Sequence, residues 1–244
     1  MEPIWIGSPT DVRFNAAALE ALAKHNDARL SKDGREILVV PEERWRQAQA
    51  FERTTWMEAC RHAQSDRNSE HTKGFGYYRH LPFDLGDILE IGCGPFTQVL
   101  GMFAADGGLR QCKSITLLDP LLNDYLEHPN CTYKALLVHK LAMAAEDLDD
   151  TLRFDTVVCV NVLEHVKDAW SVLNKIKTVT KPGGTVVFHE KSWDVDLTKL
   201  YDVGHPIRLS EATVQDFLSG FDMLYQSSEP GDSYINHYNI MKRR

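Results

Sequence analysis

The chain predicts an α/β fold: a doubly wound, mostly parallel seven-stranded sheet with helices on both faces and an N-terminal helical cap. Three observations predict it. Residues 88 to 91, 114 to 118 and 154 to 160 are apolar runs of strand length. From residue 86 onward such runs alternate with helical stretches, the order that builds a parallel sheet covered on both sides. The first run, Ile88-Leu89-Glu90-Ile91, leads into Gly92-Cys93-Gly94 before Val99 and Leu100 open a helix. In this position two glycines allow a sharp turn and let a ligand approach bare backbone.

The N-terminal part, residues 1 to 80, is a cap or lid segment, and residues 81 to 244 form the main domain. Glu36 to Val40 reads as a short strand stopped by Pro41, and Pro41 followed by Glu42 and Glu43 starts a helix. That helix runs to about Ala63. Trp45, Ala48, Trp56, Ala59 and Ala63 recur near helical spacing, and Glu52 interrupts their face. Lys73-Gly74-Phe75-Gly76-Tyr77-Tyr78 joins two glycines to three aromatics, a composition that suits a hinge and a lid.

The second strand, Ser114 to Leu118, ends at Asp119, where doubly wound folds place a carboxylate that grips a ribose diol. Phe154 to Val160 is a later strand running into Asn161, and Lys181-Pro182-Gly183-Gly184 leads into Thr185-Val186-Val187-Phe188. The rhythm then breaks. His189 to Leu209 reads as a long insertion, Ser210 caps a helix, and Met223 to Gln226 and Ser233 to Met241 are two last strands joined at Pro230-Gly231-Asp232.

These motifs, in this order, resemble the class I S-adenosylmethionine-dependent methyltransferases over roughly residues 70 to 244. Two positions depart from the family pattern: Phe96 stands at the third glycine of the turn, and Ala144 where many relatives have Asp. The resemblance implies S-adenosylmethionine as cofactor, with the last two strands an antiparallel hairpin at the sheet edge. Its binding residues would be Glu90, Gly92, Gly94, Asp119, Ala145, Glu146 and Asn161. Gly92 and Gly94 would admit the methionine part, with Glu90 fixing the loop or meeting its amino group, and Asp119 would accept both ribose hydroxyls. Ala145 and Glu146 would border the adenine, and Asn161 would lie beside the sulfonium.

Methyl transfer needs mainly alignment, because the sulfonium carries its own leaving group. An oxygen or nitrogen acceptor can also need a base. His165, His189 and His205 are the candidate catalytic residues. Tyr77, Tyr78, Glu190, Trp193, Tyr201 and Arg208 are the candidate substrate contacts, a mixture of apolar and polar groups that suits a small molecule. No metal is expected: Asn161-Val162-Leu163-Glu164-His165 resembles a Glu-x-x-Glu-His metal motif with its first carboxylate replaced. The expected activity is methyl transfer to an oxygen or nitrogen of a small-molecule acceptor. The alternatives are methylation of RNA and a regulatory protein that binds the cofactor without turnover.

Composition fits this reading. A formal charge of -8 argues against a phosphate backbone as ligand. The five cysteines form no Cys-x-x-Cys pair and read as reduced thiols of a cytoplasmic protein. No apolar run approaches the roughly 20 residues that span a bilayer.

Overall fold

β1 (Asp87–Ile91) is an interior strand, third across a seven-stranded sheet ordered β3-β2-β1-β4-β5-β7-β6 in this computed structural model, which describes residues 36–61, 68–193, 203–231 and 233–244. β2 (Ser114–Leu118), β3 (His139–Leu141), β4 (Phe154–Val160) and β5 (Thr180–Trp193) run parallel to β1. β7 (Tyr234–Arg243) is antiparallel to both β5 and β6 (Phe221–Pro230), so the last two strands form the edge hairpin. The order reverses at β1: β2 and β3 extend to one side and β4 and β5 to the other. Such a switch point leaves a crevice at the strand carboxyl ends, because connecting chains diverge there.

Both faces of the central strands are buried, which is why β1 and β4 read as nearly continuous apolar runs. On one face Leu89, Ile91, Val157 and Cys159 pack against α5 (Ala169–Val179) and α6 (Glu211–Ser219). On the other, Ile88, Val158, Val160 and Val187 pack against Val99 and Met102 of α3 (Gln98–Ala104). Ser210 caps α6 as expected, its Oγ accepting from Thr213 N at 3.2 Å.

Five local expectations need correction. Residues 36 to 40 make isolated antiparallel bridges, Ile37 to Arg208 and Val39 to Asp168, and form a strap outside the sheet. α1 (Glu42–Thr54) ends earlier than the periodicity predicts and passes into a π turn, Thr55–Ala59. The segment expected to be a lid is a packed wall. α2 (Asn68–Gly74) leads into Phe75 and Tyr78, both fully buried in the second core cluster, their rings stacked 5.2 Å apart. Tyr225 and Ser227 hydroxyls donate to Gly74 O, each at 3.0 Å, and tie this wall to β6. β5 runs on to Trp193, so the first five residues of the expected insertion are strand. They are held there by β7, with pairs from His189↔Tyr238 to Trp193↔Tyr234. Finally, β6 and β7 are each longer than the hydropathy pattern predicts: β6 is the edge strand, mostly exposed, and its length is set by its hydrogen bonds to β7, which in turn pairs with β5 on its other side.

α1 lies across the carboxyl ends of the strands. Arg44 donates to Val203 O at 2.8 Å near one end of the helix, and Arg53 bonds Asp124 at 2.7 Å near the other. Between them Trp45 and Gln49 both donate to His165 O, at 3.1 and 2.9 Å. Among the described residues, no helix is long and apolar enough to cross a membrane. All five cysteines are unpaired, with Cys93 and Cys159 buried.

Candidate active site

Three chain segments emerge side by side at the switch point, because Ile91 of β1 is in register with Leu118 of β2 and Cys159 of β4. The turn after β1 is built around Glu90, whose Oε1 accepts from Gln98 N at 2.8 Å and whose Oε2 accepts from the Thr97 hydroxyl. Burial pushes the Glu90 carboxyl up to about 7 against the pull of these bonds. Both oxygens are thus engaged in holding the turn, and the alternative role against the cofactor amino group is not the one this geometry favours. Gly92 and Gly94 both have left-handed backbone, with φ of 67° and 51°. A Cβ on Gly92 would lie 2.5 Å from Val162 Cγ2, whereas one on Gly94 would meet nothing within 4 Å. Gly92 therefore serves packing and Gly94 leaves open space beside its backbone.

Asp119 follows β2 and is buried. Its Oδ1 accepts from Leu121 N at 2.8 Å and its Oδ2 from Gly94 N at 3.1 Å, joining the two loops. Burial pushes its carboxyl up to about 6; the two backbone bonds oppose this and the Glu52 carboxylate adds to it. Each oxygen keeps lone-pair capacity for a hydroxyl donor. Phe96, the departure from glycine, meets Trp56 of the π turn edge-on at 5.8 Å and His128 at 5.7 Å. The loop exchanges a flexible residue for an aromatic anchor that docks the cap.

Ala144 and Ala145 are buried, while Glu146 Oε1 accepts from Lys167 N and Asp168 N, both at 2.9 Å. The Glu146 carboxylate is a strut between two loops. Asn161 ends β4 with φ of 57°, a conformation that Asn tolerates better than most residues, and its N donates to His189 O at 2.9 Å. The next two amides, Val162 N and Leu163 N, donate to Glu190 Oε1 at 2.7 and 2.8 Å. Glu190 is fully buried, among the described residues Oε2 has no hydrogen-bond partner, and burial pushes its carboxyl up to about 8. It is a prop beneath the Asn161 turn, not an exposed substrate contact.

The three candidate bases separate into two places. His165 and His205 lie together, ring centroids 4.5 Å apart, with Glu52 Oε1 3.7 Å from His165 Nδ1. Burial keeps the His165 imidazole below its ordinary range and so neutral at pH 7. His189 lies elsewhere, 1% exposed between the rings of His71 and Tyr238 at 4.6 and 4.3 Å, and burial holds it well below the usual range. Its strand position buries it in the core, so it is set apart from the other two.

Glu164 organises the remaining candidates. It is 1% exposed, accepting from Lys191 Nζ at 3.0 Å and Trp193 Nε1 at 2.8 Å, with Arg208 at 3.8 Å. Burial would raise its carboxyl, but Lys191, His205, Arg208 and His165 together hold it well below the usual range. The Arg208 guanidinium stacks 4.7 Å over Trp193 and is buried. Trp193 and Arg208 are therefore framing for Glu164 and not an open anion pocket. Tyr78 is core, its hydroxyl donating to Gln98 Oε1 at 3.2 Å, while Tyr77 is 51% exposed beneath Arg79. Tyr201 lies outside the described residues. Sequence reasoning missed Glu52 as a site residue and weighed Glu164 only as a metal ligand. The signal for Glu52 was its interruption of an apolar helix face.

A methyltransferase-domain family profile matches residues 72–223. The chain belongs to the methyltransferase-domain family. It is 32% identical over 137 residues to a ubiquinone biosynthesis O-methyltransferase of Methylococcus capsulatus, a stretch covering 54% of this chain and 55% of that protein. The chain thus spans about half the length of this curated relative. Among solved structures it is similar to the 1,6-didemethyltoxoflavin-N1-methyltransferase of Burkholderia thailandensis, with a TM-score of 0.57 at 14% identity, covering 86% of this chain and 95% of that one. The N-methyltransferase NodS of Bradyrhizobium japonicum is similar with a TM-score of 0.54 at 16% identity, covering 74% and 100%. At these identities the likeness is one of fold.

Proposed function

We propose that this methyltransferase binds S-adenosylmethionine in the switch-point crevice and transfers its methyl group to an oxygen or nitrogen of a small molecule. The observation that carries this reading is the joined pair of Asp119 and Gly94: a buried carboxylate beside a glycine whose missing side chain leaves open space. Asp119 takes the ribose hydroxyls, the Gly92 to Gly94 turn takes the methionine part, Ala145 borders the adenine and Asn161 faces the sulfonium. The reading is supported by the Burkholderia thailandensis enzyme, whose structure holds 1,6-didemethyltoxoflavin and S-adenosylhomocysteine, and by the ubiquinone biosynthesis O-methyltransferase, whose name implies a small-molecule acceptor. The His165 and His205 pair, with Glu52 beside it, lines the acceptor side of the crevice.

Alignment of the acceptor with the methyl carbon contributes up to about 7 to 11 kcal/mol of the barrier reduction. The acceptor atom attacks the methyl carbon, a new bond forms, and the carbon-sulfur bond breaks with its pair going to sulfur. Calorimetry with S-adenosylhomocysteine tests the cofactor assignment: one-to-one binding is expected. Failure of S-adenosylhomocysteine to bind while a nicotinamide dinucleotide does would overturn it. Release of S-adenosylhomocysteine in the presence of small phenol, catechol and amine acceptors then tests the reaction.

A further inference from the structure

We propose that Glu52, His165 and His205 form a binding site for one divalent cation of the zinc class at the acceptor end of the crevice. Each residue offers a donor atom, and these atoms all lie within 4.8 Å of one another. Bonds of roughly 2.0 to 2.2 Å around a tetrahedral ion put ligand atoms roughly 3.3 to 3.6 Å apart. The observed atoms, within 4.8 Å of one another, would have to draw together by at most about 1.5 Å. The three ligands come from different elements, α1, the turn after β4 (Leu163–His165) and the loop before α6, so that the site exists only in the folded chain.

Charge points the same way. The Glu52 side chain is 15% exposed, and among the described residues no Lys or Arg lies within 4 Å of it; its one ion-pair contact is His165. Its carboxylate acts unfavourably on Asp119. Glu164, the residue before His165, is a second and buried carboxylate near the cluster. Lys191 and Arg208 are engaged with that second carboxylate, not with Glu52. A cation between Glu52 and the two imidazoles would supply the missing positive charge.

The surrounding chain is shaped for such a ligand set. The Gly204 carbonyl lies 3.0 Å from His165 Nδ1 and orients the ring, as backbone carbonyls do for metal-bound imidazoles. A Cβ on Gly204 would lie 2.9 Å from the Phe51 ring and 3.0 Å from Glu52 Oε1, so glycine makes room for both the ring and the carboxylate. Two nitrogens and one oxygen favour zinc, or cobalt in its place, over magnesium or calcium, which take oxygen-rich shells.

Three protein ligands leave a fourth position. On the proposed methyl-transfer reading, which this role rests on, an ion held there would polarise the acceptor's hydroxyl and ease loss of its proton to a solvent base. The oxygen attacks the methyl carbon of S-adenosylmethionine, forming the carbon-oxygen bond as the carbon-sulfur pair leaves on sulfur.

The test uses the full chain after chelator treatment. Titration with Zn2+ by calorimetry, and with Co2+ by visible absorption, is expected to give one ion per chain in a four-coordinate spectrum. His205→Ala and Glu52→Gln should each weaken binding at least about 100-fold, with S-adenosylhomocysteine affinity retained in both. The absence of one-to-one binding, or undiminished binding in both variants, overturns the site. Cation binding without any S-adenosylhomocysteine binding supports the site and instead removes the methyl-transfer reading.

Discussion

Replacing Asp119 by Asn separates what its charge does for the cofactor from what it does to the fold. In the folded chain its carboxyl titrates at about 6, against an ordinary 3.8, with burial the largest cause. A difference of that size disfavours the ionised form by about 3 kcal/mol. The sign follows from linkage: the folded state binds the proton more tightly, so this group's unfavourable contribution is absent below about pH 4 and fully present above about pH 6. An Asn side chain keeps an acceptor for Leu121 N or Gly94 N but has no charge to desolvate. Relative to wild type, Asp119→Asn should therefore gain stability between pH 4 and pH 7.5, by up to about 3 kcal/mol less whatever the lost acceptor costs. Urea unfolding of both proteins at the two pH values measures this, and the difference cancels buried carboxyls that do not sense Asp119, such as Glu190. The same variant should lose about 1.5 to 3 kcal/mol of cofactor binding, a roughly tenfold to hundredfold loss. Equal cofactor affinity in a folded variant would refute the ribose assignment. A wild-type and variant stability difference independent of pH would refute the burial argument.

The remaining predictions concern the rest of the crevice. Affinity for S-adenosylhomocysteine should fall as pH drops through about 6, where Asp119 becomes protonated and loses acceptor capacity; Asp119→Asn should flatten that dependence in calorimetry across pH 5 to 8. Gly92→Ala should destabilise the fold by at least about 1 to 3 kcal/mol through its collision with Val162, read by thermal unfolding. Gly94→Ala meets no neighbour and should cost stability only through its left-handed backbone, about 1 to 2 kcal/mol, while weakening cofactor binding. His205→Ala should keep cofactor affinity and lose roughly 10² to 10⁴ in turnover once an acceptor is identified. His189→Ala should show its main effect in unfolding experiments, because its ring lies in the core; a selective loss of turnover with unchanged stability would return it to the catalytic group.

The sequence by itself determined the alternation of strands and helices, the glycine turn after β1 and the acidic residue after β2. These are local signals: a strand's apolar run, a glycine's freedom and a cap's hydroxyl each act within a few residues. The family resemblance extended them to the sheet and its antiparallel edge. Tertiary structure decided the rest, because side-chain contacts between segments far apart in sequence leave little local trace. The apolar run ending at Phe188 could not reveal that β7 carries β5 on to Trp193. Gly74, Phe75 and Tyr78 have the composition of a lid, yet Tyr225, Ser227 and Tyr238 turn them into core. Phe96 looked like a departure until Trp56 was seen against it. His165, His189 and His205 were equivalent in sequence, and the fold placed two beside Glu52 and buried the third. Their chemistry depends on burial and neighbouring charge, and only the folded chain sets either.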